Sequence, residues 1–182
     1  VQGGAHEDLR RASAKTIAGM GFPGFAIGGS LGRSKDDMLR VIEWTVAELP
    51  EDRPRHLLGI GGVEDILAAV NRGVDTFDCA APTRLARNGV LLTFAEEGFR
   101  IAITNARFAH DDRPIEEGCD CPACQRYSRA FLRHLVQAGE LSFYRLATLH
   151  NVRFMVRLMD QVRTALATGR AVPLSTPVSR PR

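Results

Sequence analysis

Along the first eighty residues, short apolar runs alternate with stretches where apolar residues return every three or four positions. The runs are GFAIGG (24–29), HLLGIGG (56–62) and DTFDCA (75–80), and the opening VQGG reads as the tail of another. Between them, a helical period places Leu9, Ala12, Ser13, Thr16, Ile17 and Met20 on one face over 7–20. The same period puts Met38, Val41, Ile42, Thr45, Val46 and Leu49 on one face over 35–49. A shorter helix is predicted over 63–73, with Ser34 as an N-cap of the preceding one and Gly73 as a stop.

Strand and helix in alternation predict βα units with a parallel sheet. In such folds chemistry collects where strands end, so Gln2, Gly28, Gly29, Gly59, Gly61 and Asp78 are expected at one mouth. Only four such strands can be counted. That suits an open four-stranded sheet or a piece of a larger barrel.

Beyond Asp78 the pattern changes. Residues 81–89 read as a polar loop, and GVLLTF and FRIAIT (89–94, 99–104) as a hairpin. A second loop leads to a cysteine cluster, then to helices at 122–138 and about 143–168. In the second, Phe154, Met155, Leu158, Met159, Val162 and Leu166 read as core or subunit contact, with Arg153, Arg157 and Arg163 on the wet face. The last ten residues, rich in Pro, Ser and Arg, are expected to be loose.

Composition adds little. The 182 residues are 45% hydrophobic and 25% charged, with a net charge of +3 that permits a nucleic-acid partner without requiring one. Lys15 and Lys35 are the only lysines. Arginine suits phosphate oxygens, though a codon bias explains the count equally well. No apolar run of about 18 residues exists, so no membrane span is expected. The N-terminal residues lack a signal-peptide pattern, and clustered cysteines point to metal in a cytoplasmic protein.

The motif CDCPACQ sets thiols at 119, 121 and 124. Cys121 and Cys124 can turn onto one ion, Cys119 adds a third ligand, and His150 is the candidate fourth. Four protein ligands leave no open position, so one structural zinc ion per chain is expected; the competing account is a redox Cys121–Cys124 pair. Cys79 reads as a buried small hydrophobe. Asp78, at a strand end, suits a nucleophile or base, and equally an acid that caps a turn or pairs with an arginine. The paired glycines form no nucleotide-binding motif, so no nucleotide cofactor is assigned. Arg84 and Arg87 could reach phosphates or lie idle at the surface.

Taken together, VQGG (1–4), FPGFAIGG (22–29), LLGIGG (57–62), GVDTFDC (73–79), PTRLARNG (82–89), CDCPAC with His150, YSRAFLRHL and LHNVRFMVRLM carry a resemblance. From about residue 1 to 169 the chain resembles the C-terminal half of a tRNA-guanine transglycosylase, the queuine or prequeuosine tRNA-ribosyltransferase family. The resemblance implies an α/β fold, the C-terminal half of a (β/α)8 barrel with an inserted zinc subdomain. On that plan residues 1–88 hold the last four βα units and 89–142 the hairpin and zinc subdomain. Residues 143–169 form a C-terminal helix with the fourth zinc ligand, and 170–182 a flexible tail.

The implied reaction exchanges the wobble guanine of tRNA for queuine or a prequeuosine base. The family nucleophile falls on Asp78 and forms a covalent bond to the ribose. Gln2 and Gly29 would contact the base edge. Leu58, where methionine is frequent, and His56, where tyrosine is usual, would line the pocket. Thr83, Arg84 and Arg87 match the stretch that grips the anticodon loop, with its U-G-U sequence. The implied partners are that loop, free guanine or a 7-deazaguanine base, and a second copy or a chain supplying the other half barrel. The alternative is a non-catalytic tRNA-binding or partner subunit, or an inactive fragment. Two departures stand out. SLGRSKDD replaces the usual LAVGEPKED, leaving base preference open, and no residue matches the family's second essential aspartate.

Overall fold

The computed structural model describes residues 1–169; the expected tail, 170–182, lies outside the described residues. The chain divides into two compact units at Ala80–Ala81.

The first unit runs α1 (Glu7–Ala18), β1 (Phe25–Ile27), α2 (Lys35–Val46), β2 (Arg55–Leu57), α3 (Val63–Val70) and β3 (Thr76–Phe77). The strands form one parallel sheet in the order β1-β2-β3. Residues 1–4, expected as a strand tail, form no strand. Val1 nonetheless donates from its amino terminus to Ala26 and accepts from the Gly28 amide, the bonding pattern of one parallel rung beside β1.

Alternation along the strands sets the two faces. Phe25, Ile27, Arg55 and Leu57 are buried, and the first, second and fourth join Ala14, Met38, Ile42, Leu49, Ala69 and Val74 in the core. Each buried aliphatic of this size contributes about 1.5–3 kcal/mol. Ala26, His56 and Thr76 sit in register on the opposite, more exposed face.

In α2 the expected stripe is the buried one, at Met38, Val41, Ile42 and Thr45. Ser34 caps it by accepting from the Asp37 amide, and Asp37 returns the contact in a capping box. In α1 the expected face is not the buried one. Arg10 and Ala14 are buried, whereas Leu9 and Met20 are exposed. The reason is the Arg10 guanidinium, whose three nitrogens donate to the carbonyls of Gly4, Val1 and Ser30. Those bonds draw its side of the helix inward.

The second unit runs α4 (Ala81–Arg87), β4 (Val90–Leu92), β5 (Arg100–Ala102), α5 (Pro122–Arg126), α6 (Arg129–Gln137) and α7 (Leu141–Ala167). The segment 81–89, read as a loop, is largely helix: Pro82 stands in its first turn, where no amide is needed, and Ala86 packs fully buried. The hairpin forms as expected, β4 antiparallel to β5. The helix expected over 122–138 breaks: Tyr127 is extended, and Ser128 accepts from the Phe131 amide to start α6 afresh. On α7, Phe154, Leu158 and Val162 are buried but Leu166 is exposed. Arg157, assigned to a wet face, instead pairs at 2.9 Å with the buried carboxylate of Glu116.

Candidate active site and metal centre

The thiols of Cys119, Cys121 and Cys124 converge on Nδ1 of His150, at 3.9, 3.5 and 3.3 Å. All four ligand atoms lie within 4.8 Å of one another. Zinc bonds of about 2.3 Å to sulfur and about 2.0–2.1 Å to nitrogen require S···N edges of about 3.5 Å in a tetrahedron, so the set fits. Sequence places the ligands by simple means. The Cys121 sulfur accepts from the Cys124 amide at the start of α5, a turn that Pro122 opens. The buried face of α7 brings in His150.

His150 Nε2 donates to the Leu92 carbonyl at 2.6 Å, which leaves the Nδ1 lone pair for the metal. The hydrogen bond with Cys124 holds the Cys121 thiol well below its usual value, in the thiolate form that metals require. Against burial, hydrogen bonds to Cys119 and Cys121 raise His150 to about 9, so binding an ion at Nδ1 expels a proton. This buried Cys3His cluster matches one structural zinc site; with all four positions protein-filled it orders the fold and offers no site for substrate.

In the first unit, β3 ends at Phe77 and delivers Asp78 at the C-terminal edge of the sheet. Asp78 is exposed. Its Oδ1 accepts from the Gly59 amide at 3.0 Å and lies 3.3 Å from His56 Nε2. The Gly59 amide, seconded by His56, holds the Asp78 carboxyl below the ordinary aspartate value against some desolvation. It is therefore ionised at neutral pH.

The same edge carries the other expected base contacts. Gly29 has φ +75°, and a Cβ there would overlap Oε1 of Gln2; a Cβ on Gly28 would lie 2.8 Å from Leu58 Cδ1. The two glycines thus make room for the Gln2 amide and the exposed Leu58 side chain. The sheet edge brings together Gln2, Gly29, Leu58, His56 and Asp78.

Thr83, Arg84 and Arg87 fall on α4 of the second unit. Arg84 and Arg87 are exposed and three residues apart, hence on neighbouring turns of one helix face. Cys79 is half-buried and outside the metal cluster.

Three residues had no role in the sequence argument. Thr76 Oγ1 lies 2.8 Å from His56 Nδ1. Arg10 ties the segment after Gln2 to Ser30, beyond Gly29. Asn151 is fully buried, accepting from the Leu92 amide and donating to the Pro82 and Val90 carbonyls. A signal for Asn151 exists: it interrupts the apolar series Ala147, Phe154, Leu158 on one helix face.

The family described as queuine tRNA-ribosyltransferase matches residues 1–179. A queuine tRNA-ribosyltransferase of Symbiobacterium thermophilum is 51% identical over 170 residues, covering 93% of this chain and 42% of that protein. Proteins of the same description are similar in Listeria welshimeri, 50% identical over 171 residues, and Bacillus pumilus, 48% over 171; each match covers 93% of this chain and 44% of the relative. The chain spans about half the length of the relatives it matches.

Proposed function

The chain belongs to the queuine tRNA-ribosyltransferase family, and from that premise we propose that it carries the nucleophile of a tRNA base exchange. The observation that carries the proposal is the Asp78 carboxylate at the sheet edge, ionised and held by Gly59 and His56 beside the Gln2–Gly29 pair.

In the proposed reaction a carboxylate oxygen of Asp78 bonds to C1′ of the wobble ribose. The C1′–N9 bond breaks, its electron pair leaves with guanine, and guanine takes up a proton. The incoming 7-deazaguanine base then gives up a proton and bonds to C1′. The C1′–oxygen bond breaks and its pair returns to Asp78. Two displacements, each through an oxocarbenium-like state beside a carboxylate, replace one difficult step. The wobble base leaves its stack to be reached. Gln2 and the Gly29 amide would read the edge of the base, and Leu58 would pack on its face. Arg84, Arg87 and Thr83 would hold the U-G-U anticodon loop, the arginines through its phosphates.

The test is incorporation of radiolabelled guanine into a tRNA with a wobble guanine, with Asp78→Asn as the control. Incorporation that the substitution abolishes supports the proposal. A folded, zinc-loaded chain that neither exchanges guanine nor forms an RNA adduct refutes it for the chain alone. The second reading, a tRNA-binding or partner subunit that acts with another half barrel, rests on the exposed pair Arg84 and Arg87 on α4. It expects anticodon-loop binding without turnover, and a cytoplasmic assembly either with a second copy or with a partner chain.

A further inference from the structure

We infer that His56 is a positioning residue for Asp78: Thr76 locks its imidazole in the tautomer with the proton on Nε2, and that proton aims the carboxylate. This role rests on Asp78 as the nucleophile. It differs from the pocket-lining role that the resemblance gives His56.

The tautomer follows from the partners. An ionised carboxylate only accepts hydrogen bonds. The approach of His56 Nε2 to Asp78 Oδ1 at 3.3 Å is therefore favourable only when Nε2 carries a proton. In a neutral imidazole the other nitrogen is then an acceptor. Nδ1 has Thr76 Oγ1 at 2.8 Å, and a hydroxyl can donate there. The chain of donors thus runs from Thr76 through His56 to Asp78. The opposite tautomer would turn a lone pair toward a carboxylate oxygen.

The backbone builds this chain. His56 and Thr76 are direct partners in the parallel register of β2 and β3, on the face away from the helical core. Asp78 is two residues beyond Thr76, so its side chain leaves the same side of the strand path. The Gly59 amide meets Oδ1 as well, at 3.0 Å, where Gly59 adopts φ +76°. With two donors on one oxygen, the carboxylate cannot turn about Cβ–Cγ without breaking both bonds. The second oxygen keeps one direction, and in the proposed reaction it is the one that bonds to C1′. His56 keeps its Nε2 proton throughout and transfers none.

The test has two arms on the full chain. The first reads the tautomer of His56 by long-range 1H–15N correlation with labelled histidine, at about pH 8.5, above the usual range of imidazole. His56→Gln assigns the resonance among the five histidines. A single Nε2–H tautomer is expected, becoming a mixture in Thr76→Val. An Nδ1–H form or a mixture in the wild type, or no change in Thr76→Val, overturns the lock.

The second arm uses guanine exchange. His56→Leu is expected to lower kcat about tenfold or more with KM for guanine little changed, and His56→Gln, which keeps a donor at the Nε2 place, to recover most of the loss. A raised KM at unchanged kcat makes His56 a base contact and overturns the inference. If the wild type neither exchanges guanine nor forms an RNA adduct, the nucleophile assignment falls and the positioning role with it. A wild type that exchanges, beside an equally active His56→Leu, sinks the positioning role alone.

Discussion

His150 Nε2 stands 2.6 Å from the carbonyl oxygen of Leu92, on the first strand of the hairpin. One ring nitrogen is thereby committed to the hairpin and the other to three thiols. Hairpin, cysteine loop and C-terminal helix consequently share one fixed point. The proton on Nε2 that the Leu92 bond requires also decides which nitrogen meets the metal.

Removing the metal should therefore loosen the whole second unit. Metal analysis is expected to return one zinc per chain, and His150→Ala to lose it. The variant, or the chelated wild type, should be destabilised by more than about 3 kcal/mol, since binding free energy at a structural zinc site is folding free energy. Thermal unfolding checks this. A variant that unfolds at the wild-type temperature without zinc would show that the thiols and imidazole pack adequately alone.

Asn151 supports the same strand from the next position. Its buried side chain satisfies the Leu92 amide and the Pro82 and Val90 carbonyls. Asn151→Leu should leave the Leu92 amide and the Val90 carbonyl unpaired and cost about 2 kcal/mol or more, at about 1–3 kcal/mol for each orphan. Urea unfolding measures the loss, and unchanged zinc content would separate it from damage to the metal site.

Local signals were legible where one residue acts through its neighbours in sequence. The period of α2, its Ser34 cap and the Cys-x-x-Cys turn are of this kind, and the structure bears them out. The signals failed where a polar side chain is buried by distant carbonyls. Arg10 looks like a surface residue in a helical pattern, and only its bonds to Val1, Gly4 and Ser30 explain why its face turns inward. Asn151 shows in the sequence only as a break in an apolar series; its partners, the Leu92 amide and the Pro82 and Val90 carbonyls, are distant in the chain. The helix at α4 was obscured by its short length and flanking polar residues. At the candidate site, Gly29 and Asp78 were visible as strand-end residues. The Thr76–His56 contact was not, because it depends on a register between two strands that no local pattern fixes.

Gly29→Ala should separate the base contact from the fold. Its φ of +75° costs an alanine about 1–2 kcal/mol, and the added methyl would overlap the Gln2 amide oxygen. Under the proposed function the chain stays folded while KM for guanine rises. Gln2→Ala should give a similar rise, and the double variant less than the product of the two, because both act through one amide. Multiplicative effects would mean that Gly29 and Gln2 act separately.

Acid stability offers a test in the second unit. The Asp111 carboxylate is buried, and Arg113 holds its pKa well below the usual carboxylate range, with Arg129 adding to the effect. Arg129 is itself buried, 3.2 Å from Asp111, and also donates to the Ile115 carbonyl. A group whose folded pKa is depressed stabilises the fold above its unfolded pKa, about 3.9 for aspartate. Its contribution is lost as pH falls from there through the folded value. Asp111→Asn, which leaves the Arg129 cation without its charged partner, should cost about 3 kcal/mol at neutral pH. Zinc also leaves in acid as the thiolates take up protons, so falling stability by itself identifies nothing. The difference between wild type and variant does. It should stay constant from neutrality to about pH 5 and shrink below about pH 4. A difference that persists unchanged under acid would mean that Asp111 serves the fold by shape and hydrogen bonding, with its charge contributing little.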